Sequence, residues 1–264
     1  MTTSLILTTF NRKEALELVL LSALRQTELP DEIIVADDGS DNETAETIQR
    51  ISIIAPIPLI HVWQEDKGFR AAKSRNKAMA RASGTYIIFV DGDMLLHHRF
   101  VRDHGEMARP GFFSQGSRAL LSAQKTARVI QEQQLRIFPF ESGLGNRKNT
   151  LHSNILSRLF SRRKNVLRGI RTCNFAFWKK DAIAVNGFNE DFEGWGREDS
   201  EFAVRLLNHG ISRQNIKFRA IAYHLYHPQH SRSSLQRNDE MLRNAIEQKI
   251  TRCQNGLDKY LDCR

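Results

Sequence analysis

Apolar runs and amphipathic repeats alternate through the first hundred residues of this chain. The runs continue without polar alternation, which is typical of strands buried on both faces. The segments between them repeat apolar residues every three or four positions, which indicates helices. The predicted strands cover residues 3–9, 32–36, 58–63 and 85–93, and the predicted helices cover 13–26, 44–54 and 70–82. This order predicts an α/β fold with a parallel sheet, right-handed crossovers and helices on both faces.

The ends of the predicted helices carry sequence signals of their own. Asn11 precedes the first helix with Glu14 three residues later, which is the spacing of a capping box. Another helix is predicted over 198–208, with acidic residues in its first turn and Gly210 after its last. The polar stretch 231–264 is expected to be helical, without assigned chemistry.

Polar side chains follow three of the four predicted strands. Thr9 and Asn11 follow the first, Asp38 the second, and Asp91 and Asp93 the fourth. Ligands of open parallel sheets bind at the carboxyl ends of the strands, and residues two apart on an extended chain point the same way. Asp91 and Asp93 would then share a face and favour a divalent cation. Taken alone, Asp-Gly-Asp is also an ordinary turn.

The glycine-rich fingerprints of dinucleotide and P-loop proteins are missing from these loops. A metal bridge to a nucleotide diphosphate is the substitute that the pattern favours. The third helix begins with Arg70, Lys73 and Arg75, and cations near the positive end of a helix dipole favour phosphate. A solvated amphipathic face would give the same pattern.

The composition is basic, with 39 Lys and Arg against 30 Asp and Glu and a formal net charge of +9. Nucleic acid, an anionic membrane surface and phosphorylated substrates would all satisfy such an excess. The charge collects over 145–171, interleaved with apolar residues, which predicts contact with an anionic membrane surface or a phosphorylated acceptor. A loop with solvated charges is the alternative. Aromatic residues are sparse there, so no nucleic acid partner is expected.

Two further absences set the expected compartment and redox state. No apolar run is long enough to span a bilayer, and the amino terminus lacks a signal-peptide profile. We therefore expect a cytoplasmic protein, peripheral on the inner face of the cell membrane if the basic segment binds lipid. Cys173, Cys253 and Cys263 show no metal-ligand spacing, so they are expected to be reduced thiols and not zinc ligands.

Four short motifs occur in order along the first half of the chain. They are Thr8-Thr9-Phe10-Asn11-Arg12, Asp37-Asp38-Gly39-Ser40-Asp41, Gly68 with Ser74-Arg75-Asn76, and Asp91-Gly92-Asp93. Their order and spacing resemble the family 2 glycosyltransferases, inverting enzymes of the GT-A fold, over roughly residues 3–105. The resemblance implies a mostly parallel sheet in a Rossmann-like nucleotide-binding half, fused to an acceptor-binding half.

A second block of motifs lies in the other half of the chain. Gly187-Phe188-Asn189-Glu190 is followed by Gly194-Trp195-Gly196-Arg197-Glu198-Asp199-Ser200-Glu201. This block is similar to the acceptor motif of β-1,4-galactosyltransferases and bacterial chondroitin polymerases. Arg197 departs from the animal galactosyltransferases, which carry glycine there.

The resemblance implies a role for each matching residue. Asp38 would accept the uracil N3 proton, and Asp93 would ligate Mn²⁺ or Mg²⁺. A histidine after the last strand would complete the metal shell, and the spacing leaves His224 and His227 open, with His224 favoured. The remaining nucleotide-sugar contacts implied are Thr9, Asn11, Arg12, Arg75, Asn76 and Asp91.

The acceptor half would supply the general base and the sugar contacts. Asp199 would take the proton of the acceptor hydroxyl, with Trp195 and Glu198 contacting the sugar or acceptor. For Trp195 a place in the core is the plain alternative. For the acidic turn, complementing the helix dipole is the plain alternative.

Together these features predict a metal-dependent inverting glycosyltransferase that uses a UDP-sugar. It would move a hexose or N-acetylhexosamine to a hydroxyl of a glycan or glycolipid in bacterial surface polysaccharide or lipopolysaccharide synthesis. One continuous domain is expected, with a donor half (1–105), an acceptor half (106–230, including 145–171) and a helical tail (231–264). A nucleotidyltransferase, or an inactive basic binding protein on a transferase fold, is the alternative.

Overall fold

The computed structural model describes residues 1–228 and 234–261. Its strands are β1 (Thr3–Thr9), β2 (Glu32–Asp37), β3 (Leu59–Trp63), β4 (Tyr86–Asp91), β5 (Met94–Leu96), β6 (Phe112–Gln115), β7 (Arg118–Leu121), β8 (Leu144–Gly145), β9 (Arg162–Arg163), β10 (Asn174–Trp178), β11 (Ser212–Asn215) and β12 (Ala222–His224). Its α-helices are α1 (Lys13–Leu24), α2 (Asn42–Ile54), α3 (Ala71–Arg81), α4 (Phe100–Met107), α5 (Ala123–Gln131), α6 (Asn154–Phe160), α7 (Lys179–Ala184), α8 (Glu198–Asn208) and α9 (Leu235–Glu247).

The first four strands form the parallel unit that the hydrophobic pattern predicts. Their order is β3-β2-β1-β4, and helices connect them in sequence. Every apolar residue of β1, β2 and β4 is fully buried, because helices cover both faces of this part of the sheet. Thr9 pairs with Asp37 and Thr8 with Asp91, so the three strand ends meet at one edge.

The second half of the chain extends the same sheet with mixed strand directions. β10 lies antiparallel between β4 and β6, and β11 and β9 complete an eight-stranded sheet in the order β3-β2-β1-β4-β10-β6-β11-β9. A smaller four-stranded sheet has the order β5-β12-β7-β8. The α/β architecture is confirmed, and its sheet is parallel from β1 to β4 and mixed beyond them.

One helix begins differently from its sequence signal. Asn11 does not cap α1: its backbone is left-handed, with φ of 46°, and α1 starts after Arg12 without a side-chain cap. The Asn11 side chain instead accepts a hydrogen bond from the backbone N–H of Asp41, at 2.9 Å. Asp41 in turn caps α2 by accepting from the Thr44 N–H, at 3.1 Å. The capping-box prediction was therefore wrong, because Asn11 links two loops of the sheet edge.

The basic segment 145–171 contains little regular structure. It holds a 3-10 turn over Arg147–Thr150, the short helix α6 and the two-residue strand β9. The α6 residues Ile155 and Leu159 are 74% and 60% exposed. No helix within residues 1–228 and 234–261 is long and apolar enough to cross a membrane.

The C-terminal region packs against α8. Asn208 at the end of α8 donates to the carbonyl oxygen of Ile250, which follows α9. Cys173 and Cys253 are buried free thiols, as expected. Residues 231–233 and 262–264 of the predicted tail, Cys263 among them, lie outside the described residues.

Candidate active site

A cleft of about 1330 Å³ opens at the carboxyl ends of the parallel strands. Loops after β1, β2 and β4 form one wall, and the start of α8 and the end of β12 form others. The cleft brings together most of the residues that the sequence singles out. They are Thr9, Arg12, Asp38, Arg75, Asp91, Asp93, Trp195, Glu198, Asp199 and His224.

Two residues expected to contact the nucleotide serve structural roles instead. Asn76 is fully buried, donates to the Phe188 carbonyl oxygen and Glu190, and accepts from the Phe188 N–H. It fastens α3 to the 187–190 segment and does not line the cleft. Asn11 is occupied with Asp41, as described above, and its backbone N–H donates to the Ser40 hydroxyl. Buried amides need such partners, so the Asn76 side chain is not available to a ligand.

The two carboxylates that follow β2 have different tasks. Asp37 is fully buried, contacts His61 Nε2 at 2.9 Å and accepts from the Ser40 N–H, so it holds the turn. Asp38 lines the cleft and accepts from the Arg70 backbone N–H at 2.8 Å and from the Gln64 amide. Burial raises the pKa of Asp38, although both of these donors oppose the shift. Asp38 is therefore the acid of this pair that faces the cleft.

A second cluster gathers around Asp93 at the other side of the strand ends. The side-chain ligand atoms of Asp93, His224 and His227 lie within 4.8 Å of one another. His227 Nε2 is 3.2 Å and His224 Nε2 is 3.8 Å from Asp93 Oδ2, and Arg12 forms a 2.8 Å ion pair with the same oxygen. The geometry brings both histidines to the carboxylate, so it does not choose between them.

The Asp93 cluster offers one carboxylate and two imidazoles, which are ligand groups of a divalent metal site. Asp93 Oδ1 is buried and has no hydrogen-bond partner among the described residues. Burial lowers the pKa of His224 to about 4, so its imidazole is neutral and can ligate. Burial opposes the ionisation of Asp93, but the His227 hydrogen bond, His224 and Arg12 outweigh it and lower its pKa. A carboxylate with imidazole ligands suits Mn²⁺ better than Ca²⁺.

Arg75 joins the donor carboxylates to the acceptor side of the cleft. It is 5% exposed, its Nη1 lies 3.0 Å from Glu198 Oε1, and its Nη2 lies 3.8 Å from Asp91 Oδ1. Burial lowers the pKa of Arg75, but the charges of Glu198 and Asp91 outweigh that effect and raise it overall. Thr8 donates to Asp91 Oδ1 at 3.0 Å and fixes the carboxylate. One buried cation therefore holds both halves of the site in register.

Asp199 occupies the first turn of α8, next to the buried Glu198. Its Oδ1 accepts from the Ser200 backbone N–H at 2.6 Å and from the Ser200 hydroxyl at 3.2 Å. Burial and the Glu198 carboxylate raise the pKa of Asp199 to about 7, with Arg75 and the Ser200 donors opposing the shift. A carboxylate with a pKa near neutrality is suited to general base catalysis.

Trp195 lines the cleft from a loop whose backbone conformation requires glycine on both sides of it. It lies between Gly194 and Gly196, whose φ values are +74° and +109°, and is itself 38% exposed. A Cβ at position 194 would approach the Ser234 hydroxyl to 2.2 Å. The indole therefore presents a face to the cleft and does not fill the core.

Some cleft residues carry no sequence motif. Arg118 projects from β7, and Arg168 and Arg171 come from the loop before β10, yet all three line the cleft. Tyr226 contributes its carbonyl oxygen, 3.4 Å from Arg12 Nη2. A lone arginine on a short strand gives no signal until the fold brings it to the site.

Two protein families match different parts of this chain. The description "Glycosyl transferase family 2" fits residues 4–167, and "N-terminal domain of galactosyltransferase" fits residues 156–228. The second match covers the segment that carries Trp195, Glu198 and Asp199.

Several characterised proteins share sequence with this chain. The chondroitin synthase of Escherichia coli is 26% identical over 241 residues, covering 84% of this chain and 34% of its own length. Validoxylamine A glucosyltransferase of Streptomyces hygroscopicus subsp. limoneus is 29% identical over 224 residues, covering 79% of this chain and 48% of its own. The hyaluronan synthase of Pasteurella multocida is 27% identical, and 24% of its length is matched. This chain thus spans half or less of the length of these relatives.

Solved structures agree on the fold. The crystal structure of S. aureus TarS 1–349 has a TM-score of 0.65 at 16% sequence identity, covering 98% of this chain and 68% of that one. The same TarS fragment in complex with UDP gives the same TM-score at 15% identity. The GT-A expectation is therefore confirmed, and with the sequence match over residues 4–167 it follows that the chain belongs to glycosyl transferase family 2.

Proposed function

We propose that this chain transfers a hexose or N-acetylhexosamine from a UDP-sugar to a hydroxyl of a glycan or glycolipid acceptor, with inversion and with a divalent cation. The observation that carries the proposal is the shared cleft. It holds the Asp38, Asp91 and Asp93 carboxylates of the donor half together with Asp199 of the acceptor half. Inverting transfer needs a nucleotide-diphosphate site and a base on opposite sides of the sugar, and the cleft has both kinds of group.

Asp199 is the base in this proposal. It accepts the proton of the attacking acceptor hydroxyl as the new glycosidic bond forms and the bond to the diphosphate breaks. Ser200 donates to its Oδ1 and so fixes the orientation of the carboxylate. Trp195 offers the acceptor or donor sugar a flat apolar face at the mouth of the same site.

The donor half binds the leaving nucleotide. Asp38 would accept from the uracil N3–H, with Thr9, whose buried hydroxyl has no partner among the described residues, beside the base. Asp93, His224 and His227 would hold Mn²⁺ or Mg²⁺, which when bound neutralises charge on the departing diphosphate. Arg12 and Arg75 keep the carboxylates of this half ionised and in place.

The relatives support a uridine nucleotide and a polysaccharide or glycolipid setting. A structural neighbour was solved with UDP, and relatives are named as chondroitin and hyaluronan synthases and as a cholesterol galactosyltransferase. Contact of segment 145–171 with a membrane surface stays a prediction.

Turnover of UDP-sugars tests the proposal directly. The protein is incubated with MnCl₂ and UDP-glucose, UDP-galactose, UDP-N-acetylglucosamine or UDP-glucuronate, and release of UDP is followed. We expect UDP from at least one donor in the presence of Mn²⁺ and none after chelation. Binding of UDP without turnover of any donor, under conditions that support an active relative, would contradict the proposal.

A further inference from the structure

A second, smaller cavity of about 250 Å³ lies beside the cleft and is lined by positive charge. We call it the basic pocket. Arg118, Arg168 and Arg171 line both cavities, so the two are neighbours, whereas the other three cations line the basic pocket without lining the cleft. The basic side chains that define the pocket are Arg118, Lys164, Arg168, Arg171, Arg213 and Lys217.

Positive charge in the basic pocket is not balanced by the protein. Among residues 1–228 and 234–261, no Asp or Glu lines the pocket, and none of its six cations has a carboxylate oxygen within 4.0 Å. Arg12 and Arg75, which line only the cleft, differ in this respect, since each pairs with a carboxylate. A cluster of like charges without counter-charges stores repulsion that an anion would relieve.

The pocket is built from ordered side chains of the sheet edge. Arg213 of β11 is 3% exposed, and its Nη1 donates to the carbonyl oxygens of Val166 and Arg168, at 2.6 and 3.1 Å. Its Nε is buried without a partner among the described residues. Lys217 Nζ donates to the Ser117 hydroxyl, at 3.1 Å.

Backbone contacts place Arg171 at the pocket, and neighbouring cations repel Lys217. The Gln115 side chain accepts from the Arg171 N–H at 2.9 Å and donates to the Arg171 carbonyl oxygen at 3.0 Å. Burial lowers the pKa of Lys217, and the nearby Lys148, Lys164 and Arg213 lower it further. Hydrogen bonds already anchor the Arg213 and Lys217 side chains, so a ligand need not spend its binding free energy on ordering these two cations.

We propose that the basic pocket binds a phosphoryl group carried by the acceptor glycan, adjacent to the hydroxyl that is glycosylated. The proposal rests on the proposed function, because it places the acceptor in the neighbouring cleft. A phosphoryl group has several acceptor oxygens and a charge near −2, which suits guanidinium and ammonium donors converging from three segments. A single carboxylate would leave most of these donors without an acceptor.

The donor diphosphate is a poor candidate for the same pocket. The expected metal ligands and Arg75 stand at the cleft, whereas Lys164, Arg213 and Lys217 do not line it. Of the two substrates, the acceptor is therefore the one that would place an anion in the basic pocket. Part of the net charge of +9 would then serve to bind the acceptor.

The test measures phosphate binding in the protein whose donor site is already filled. Calorimetry is run with glucose 6-phosphate and with inorganic phosphate, on protein saturated with UDP and Mg²⁺. The variant is the double substitution K164Q/K217Q, and the matched control is K180Q/K249Q, which removes two exposed lysines that line neither cavity. We expect both phosphates to bind, at least tenfold weaker affinity in K164Q/K217Q, less than twofold change in the control, and unchanged UDP affinity.

The possible outcomes separate this proposal from the proposed function. Equal phosphate affinity in wild type and K164Q/K217Q, or competition between UDP and glucose 6-phosphate, would overturn the pocket assignment. Binding of phosphatidylglycerol vesicles that depends on Lys164 and Lys217, without glucose 6-phosphate binding, would also overturn it in favour of a lipid headgroup. Failure of the proposed function appears elsewhere, as absent UDP turnover, and phosphate binding to the unloaded protein still tests the pocket.

Discussion

The donor end of the cleft and the basic pocket lie side by side but organise charge in opposite ways. In the cleft, Arg12 contacts Asp93 and Arg75 contacts Glu198, so both of these cations are paired with carboxylates. In the basic pocket, Arg213 and Lys217 donate only to uncharged oxygens in the described structure. In the first region the arginines are paired with carboxylates, whereas in the second the positive charge has no counter-charge among the described residues.

This difference predicts opposite responses to substitution. Removing a charge from a paired buried set leaves its partner desolvated and alone, which costs several kcal/mol. Removing a charge from an unpaired set relieves repulsion and leaves stability nearly unchanged. Catalysis, in contrast, depends on single atoms and gives the largest effects.

The largest effect is expected from Asp199→Asn. An amide cannot accept the hydroxyl proton, so transfer should fall by about 10² to 10⁴-fold while UDP affinity stays within twofold of wild type. Rates from UDP release and affinities from calorimetry check this. The control Asp191→Asn removes an exposed carboxylate of the same segment that does not line the cleft, and it should transfer normally. Joint loss of transfer and UDP binding would make Asp199 a structural residue.

Arg75→Gln should give the largest loss of stability. It leaves Glu198 buried and unpaired beside Asp199, so the free energy of unfolding should fall by about 3–5 kcal/mol. The double variant Arg75→Gln, Glu198→Gln removes both charges and should recover most of that loss. Urea denaturation monitored by tryptophan fluorescence provides the values. A loss below about 1 kcal/mol in the single variant would show that water already screens the pair.

Asp93→Asn should abolish the contribution of the metal to UDP binding. Loss of a ligating carboxylate should weaken metal-dependent binding by at least about 10 to 100-fold, the cost known for outer-shell partners. Affinity without metal should not change. The same titration on His224→Gln and His227→Gln identifies which imidazole ligates, since only a ligand's loss lowers the metal effect. Equal UDP affinity with and without Mn²⁺ in wild type would remove Asp93 from this role.

The pH profile of transfer should follow Asp199. The burial and the Glu198 charge that raise its pKa to about 7 keep it protonated and inactive in acid. The base works when deprotonated, so the rate should rise about tenfold per pH unit below 7 and level off above it. UDP affinity should stay flat over the same range. A rate that is already constant from pH 5 upward would place the base elsewhere.

The smallest effect is expected from Lys217→Gln. Glutamine can still donate to Ser117, and three cationic neighbours lose a repulsive partner, so the free energy of unfolding should rise by up to about 0.5 kcal/mol. The lowered pKa of Lys217 means that wild-type stability increases as pH rises toward 10.5, and the variant should lose this slope. Lys259→Gln is the comparison: it breaks a 2.7 Å contact with Glu190 and should destabilise slightly. A fall of more than about 1 kcal/mol in the free energy of unfolding of Lys217→Gln would contradict the view that the pocket's charges are unpaired.

Sequence reasoning succeeded where the signal is local. The four parallel strands and the helix over 198–208 follow from periodicity, because a buried strand and an amphipathic helix each impose their own pattern. Asp91 ends β4 as predicted, whereas Asp93 lies in the turn between β4 and β5, so the alternation of side chains along an extended strand does not place it. These features need only residues that are close in sequence.

Predictions failed or stayed open where residues far away in sequence determine the contacts of a side chain. Asn76 has the residue type of a ligand contact, but Phe188 and Glu190 occupy its amide from more than a hundred residues away. Asn11 has the spacing of a cap, but Asp41 competes for its oxygen. The basic pocket draws Arg118, Arg171 and Lys217 from three separate segments, so the charge excess was visible in the sequence but its concave arrangement was not.

The antiparallel strand β10 has a consequence for how the protein is made. Val90 of β4 pairs with Asn174 of β10, whereas the other edge of β4 pairs with β1 near the start of the chain. During synthesis at about 5–20 residues per second, β4 keeps one unpaired edge for several seconds after it leaves the ribosome. Ile87 and Phe89, both fully buried in the finished protein, stand on that open strand. Until β10 arrives and closes the sheet, this strand edge is open to pairing with other chains.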